Sequence, residues 1–197
     1  MNAKWLIRCG LASLMLFVFA SLSSNGIPIN AEAATGPQGD QPPALPVKVL
    51  TLRFTAAPAE PPTIEPAGDT VVFKVNAVGK VTGDLEGTLS ERVTQIAGGG
   101  VNYPIAPVNK VEPITTFFTI KTSTGTIEGY YWGTFYYPAQ SYPDATVHMH
   151  GQILSVTPAY ANLYLAEVYY DGVVDFEIKG DTQIPLGDSG TLVISPR

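Results

Sequence analysis

The chain has 197 residues, of which only 14% are charged, and a formal net charge of -6. Eleven Lys and Arg on an acidic chain provide no basic stripe for a phosphate backbone, which excludes nucleic acid as a partner. A single cysteine excludes a disulfide scaffold and a CxxC zinc site, and 45% apolar residues can build a core, which excludes disorder for most of the chain.

Residues 1–33 read as a secretory signal peptide. Lys4 and Arg8 form a positive start, Leu11 to Leu22 form the apolar stretch, and Ala31-Glu32-Ala33 places small residues where a signal peptidase reads, so cleavage is expected after Ala33. The apolar stretch is shorter than the roughly 20 residues a membrane-spanning helix requires. No stable membrane span is therefore expected after cleavage, and the protein is expected to be secreted or periplasmic. Cys9 leaves with the signal segment, so the remaining chain has no cysteine and must be held by its core alone.

Eight of the 17 prolines fall in residues 34–66, and proline favours extended, solvated chain. Residues 34–69 are expected to form a Pro-rich tether with one strand, Val47 to Thr55, and residues 70–197 the folded domain. From Thr70 the pattern alternates. Val71, Phe73, Val75 and Ala77 share one face, and Leu85, Leu89 and Val93 share another after a break at Gly83-Asp84. Further strands are expected at Ile114 to Lys121, Thr126 to Tyr137 and Thr146 to Val156. Leu163 to Tyr170 and Val173 to Ile178 follow, separated by a turn at Asp171-Gly172, and Thr191 to Ser195 closes the chain. No window beyond the signal segment carries a helical period with caps. Seven or eight strands with short connections predict an all-β fold, a closed antiparallel up-and-down barrel, with a β-sandwich as the alternative.

The segment Gly83-Asp84-Leu85-Glu86-Gly87-Thr88-Leu89-Ser90-Glu91 resembles the G-x-L-x-G opening of allene-oxide-cyclase-like barrels. The order after it is also similar. A Thr-rich strand (Thr115, Thr116, Thr119) precedes a Gly-containing one (Gly125, Gly129, Gly133), then Gly151-Gln152-Ile153-Leu154 and Tyr160-Ala161-Asn162-Leu163-Tyr164. The last segment departs from the pattern, lacking the glycines such barrels often carry there. The resemblance covers residues 70–180 and extends to plant cyclases, dirigent proteins and bacterial exported proteins of this fold. It implies an eight-stranded barrel with an apolar cavity and no particular activity, because the fold hosts several. In the cyclases a buried glutamate steers charge in the substrate; no motif transfers that role to a residue here.

Glu91 sits at the parity of Leu85, Leu89 and Val93, and Glu167 at that of Leu163 and Leu165. A carboxyl among apolar neighbours has a raised pKa and can act as a general acid or base, so both are candidate catalytic residues. The competing reading places Glu91 at a barrel rim or in an ion pair. Nine of the ten tyrosines lie between Tyr130 and Tyr170. Tyr130, Trp132 and Tyr136 share a face, as do His148, His150 and Gln152; with Tyr164 they are the candidate ligand-binding residues, set against a purely structural reading. The His pair lacks a third metal ligand at a suitable spacing, so no metal is expected, and no cofactor. Gly187-Asp188-Ser189-Gly190 reads as a turn before the last strand, since a protease triad has no room to form around it. The functions left open are an exported barrel that binds a small apolar ligand or a partner surface, a cyclase or isomerase, and a structural envelope protein.

Overall fold

The period-two pattern becomes nine strands in a computed structural model that describes residues 48–68, 70–98, 108–180 and 182–197. The expected signal peptide and the first part of the tether lie outside the described residues. The strands are β1 (Leu50–Pro58), β2 (Thr63–Ala67), β3 (Thr70–Gly83), β4 (Gly87–Gly98), β5 (Val111–Thr122), β6 (Thr126–Tyr136), β7 (Ala145–Val156), β8 (Glu167–Lys179) and β9 (Thr182–Ser195). Consecutive strands from β3 to β9 pair antiparallel. β1 closes the sheet by pairing with β9 on one side (Phe54 opposite Gly190) and β3 on the other (Phe54 opposite Val81). The result is an eight-stranded antiparallel barrel, as the alternation predicted, with β2 as a ninth strand paired, among the described residues, with β3 alone.

The barrel begins earlier than residue 70. β1 and β2 pair with successive halves of the same edge of β3, separated by a break at Pro58–Pro62 where proline cannot donate to the ladder. The closing strand thus comes from the segment expected as tether. Two expected turns are also strand interior. Asp171-Gly172 lies within β8 and Gly187–Gly190 within β9, with Gly172 directly opposite Gly190. Gly172 serves close approach and not a turn: a Cβ there would stand 2.6 Å from the Ser189 carbonyl and 2.9 Å from the Tyr170 hydroxyl.

One end of the barrel is filled. Each of the eight barrel strands contributes an inward aliphatic side chain there: Leu52, Val81, Leu89, Ile120, Ile127, Ile153, Val168 and Ile194, all at most 2% exposed. A 3₁₀ segment, Pro158–Leu163, connects β7 to β8 at this end, with Leu163 buried in the same core. Above this girdle lies an aromatic layer. The Tyr170 ring packs 4.8 Å from Phe54 and 5.2 Å from Tyr131, and Tyr131 stacks 5.0 Å from Phe118. Beyond that layer the barrel is not filled.

Candidate functional site

The unfilled half is a partly open cavity, with about 90 Å³ accessible to the centres of water-sized molecules. That is room for several waters or part of a small ligand. Its wall is mostly apolar, with Phe73, Val75 and Ala77 from β3, Val93 from β4, Ile114 from β5, Phe135 from β6, Val147 and Met149 from β7, and Val174 and Phe176 from β8. Pro58 and Pro62 border it at the break between β1 and β2. Alternation along each strand aims these side chains inward, so the cavity follows from the same pattern that built the closed end.

Two carboxyls face this apolar space. Glu91 projects from β4 between Ala77 of β3 and Phe118 of β5, and only 3% of its surface is exposed. Its Oε1 accepts a hydrogen bond from the Tyr131 hydroxyl. Asp188 projects from β9, where its Oδ2 accepts from the Tyr170 hydroxyl at 3.1 Å. Because Tyr131 and Tyr170 are ring neighbours, the two phenol–carboxyl pairs sit side by side. Burial pushes the Glu91 carboxyl up to about 8; the negative charge of Asp188 adds to this and the Tyr131 hydrogen bond opposes it. Burial also raises Asp188, to about 6, with the hydrogen bonds from Tyr170 and Glu91 holding it back. Near neutral pH the two carboxyls therefore hold one proton between them. Burial raises both tyrosines well above the usual phenol value, and the adjacent carboxylates raise them further.

A second polar group lies further along the wall. Glu112 of β5, 1% exposed, accepts from Gln95 Nε2 at 2.6 Å, and the same nitrogen donates to the Tyr137 hydroxyl at 3.0 Å. Thr116, between Glu112 and the aromatic layer on β5, is also 1% exposed. Its Oγ1 meets no hydrogen-bond partner among the described residues. Buried polar atoms are normally paired, and each unpaired one costs about 1–3 kcal/mol, so such atoms on a cavity wall mark where a ligand would be received.

Of the two acids singled out from sequence, only Glu91 lies in the cavity. Glu167 is on the outer face, where it accepts from the Tyr169 hydroxyl at 2.8 Å and meets Arg197 at 3.4 Å. Its parity with Leu163 and Leu165 fails because the 3₁₀ segment and Leu165, at φ 61°, reset the phase before β8 begins; Val168 and Tyr170 point inward instead. The aromatic and histidine candidates are likewise outside the cavity. Tyr130, Trp132, His150, Gln152 and Glu167 share a shallow outer groove, in which the Trp132 and His150 rings lie 4.3 Å apart. His148 Nδ1 pairs with Asp171 Oδ1 at 2.6 Å on the surface, Tyr136 donates to Asn109 Oδ1 at 3.0 Å, and Tyr164 is exposed beside the 3₁₀ segment. Asp188 and Glu112 were missed. Counting back by two from Ile194 and Leu192 reaches Asp188, and from Ile114 reaches Glu112, so parity carried both signals.

No protein-family model matches the chain, and no curated protein matches it in sequence. Solved structures do match its fold. A protein of unknown function from Clostridium acetobutylicum is similar at 11% identity and a TM-score of 0.51, over 75% of this chain and 98% of its own. A β-barrel-like protein from Acinetobacter baumannii is similar at 15% identity and a TM-score of 0.50, over 77% of this chain and 99% of its own. Both likenesses concern the small-barrel fold.

Proposed function

We propose that this chain is an exported barrel that binds a small, mostly apolar ligand in the open half of its interior. The observation that carries the reading is the cavity itself: an apolar wall enclosing the Glu91–Asp188 carboxyl pair and a Thr116 hydroxyl that no described residue pairs. A purely structural barrel would gain by filling this space as it fills the other end. Exposed Arg53, Lys74, Arg92, Glu128 and Asp171 on the outer face support a barrel surrounded by water, since a membrane barrel reverses that polarity.

One observation favours a second reading. Glu91 and Asp188 make an acid and a base facing the same apolar space, the arrangement an isomerase or cyclase uses, and the kinship to allene-oxide-cyclase-like barrels belongs with it as a proposal. The carrier reading is preferred because, beyond Tyr131 and Tyr170, no described residue bonds the pair to position a reacting atom. Native mass spectrometry of the protein purified from its own host tests the proposal. A retained small molecule is expected; an empty mass, together with no uptake of apolar probes, would contradict it. Chemical change of the retained molecule on incubation would select the enzyme.

A further inference from the structure

The cavity has an imbalance of charge that its own wall does not correct. Glu91 and Asp188 line it side by side, and among the described residues no Lys, Arg or His does. Tyr131 and Tyr170 donate to Glu91 and Asp188, the two carboxyls bond each other, and among the described residues no positive group bonds either. The same wall is rich in rings, from Phe73, Phe135, Tyr137, Tyr170 and Phe176.

Resting on the reading of this cavity as a ligand site, we propose that its ligand is an organic cation, a protonated amine on an apolar body. Three classes of head group can be weighed. An anion would be repelled by Asp188 and by any charge on its neighbours. A neutral hydroxyl or carbonyl could bond Glu91 or Thr116 but would leave the buried carboxylate charge uncompensated, and such charge is costly unless paired. An ammonium answers each demand. Its N–H groups donate to Thr116 Oγ1, a buried acceptor without a partner among the described residues, and to the Glu91–Asp188 pair once that pair has given up its proton. Its charge offsets that of the carboxylates, and the aromatic faces attract it while the wall receives its apolar body.

Protons are linked to this choice. A cation favours the ionised form of both floor carboxyls, so binding expels the proton that Glu91 and Asp188 hold between them. Amine affinity therefore rises with pH through the range from about 6 to about 8. Among the described residues, the other titratable groups facing the cavity are Glu112 of β5, Tyr137, which follows β6, and Tyr170 of β8; Tyr131 bonds Glu91, and the charge of Asp175 reaches Asp188 from the outer side of β8.

The test is isothermal titration calorimetry on the whole secreted protein with three probes of one shape: 2-phenylethylamine, 2-phenylethanol and phenylacetate. At pH 7.5 the amine is expected to bind about tenfold or more tighter than the alcohol, and phenylacetate weakest. The amine's apparent enthalpy should differ between phosphate and Tris buffers through the released proton, and its advantage should shrink at pH 5.5. The double variant Glu91→Gln, Asp188→Asn should bind amine and alcohol about equally; should it not fold, the buffer and pH comparisons on the natural protein decide. Alcohol or phenylacetate binding as tightly as the amine would overturn the proposal, as would failure of the amine to bind. A neutral molecule retained in the native mass spectrum would also overturn it while upholding the carrier, so the two readings fail separately.

Discussion

At Glu91, burial and hydrogen bonding pull in opposite directions, and burial wins: the carboxyl is raised from 4.5 to about 8 although Tyr131 donates to it. The unfolded chain releases this proton near pH 4.5 and the barrel does not. The stability associated with the neutral carboxyl is thus fully present below about pH 4.5 and is lost progressively up to about pH 8. Asp188 adds a smaller loss of the same sign between 3.8 and about 6. Glu91→Gln keeps the shape and removes the titration. Its Tm should match that of the natural protein at pH 4 and exceed it by several degrees at pH 8.5. Thermal unfolding curves that run parallel across this range would show that Glu91 ionises normally in the barrel. Glu91 was legible in the sequence because it shares an unbroken strand with Leu89 and Val93. Glu167 misled because parity cannot be carried across the 3₁₀ segment and the positive φ of Leu165.

The elements divide the work. The girdle of eight aliphatic side chains and the 3₁₀ cap hold one end, so the other can stay open. Leu163 is the cap's anchor, 2% exposed. Leu163→Ala should cost about 2–5 kcal/mol in chemical denaturation and leave probe binding in the folded fraction unchanged, since the cavity lies beyond the aromatic layer. Loss of binding without loss of stability would mean that the two ends are not independent. Strands such as β5, β6 and β7 were readable almost to their ends from alternation and β-branched or aromatic content. β8 and β9 were cut short because Gly172 and the Gly187–Gly190 run carry turn-like composition, while their physical role is to let backbones and the Tyr170 ring approach closely. β1 was obscured by its proline-rich surroundings, although its own alternation was visible.

For the whole molecule, closure into a barrel followed from consecutive antiparallel strands, whereas the cavity did not. Whether the interior is filled depends on how inward side chains from eight strands add in volume, and no single strand carries that information. The same holds for the meeting of Glu91 with Asp188, which lie 97 positions apart in sequence and come near each other only after β1 joins β9 to β3. Met149 offers a direct view of this space, because it lines the cavity and is the sole methionine after residue 33. The decisive measurement is an NMR titration of the protein, labelled at the methionine methyls and the tryptophan indoles, with 2-phenylethylamine. The account predicts a saturable shift of the Met149 methyl while the indole of Trp132 on the outer face stays in place. A shift of Trp132 with Met149 unmoved would put the ligand outside the barrel and contradict it.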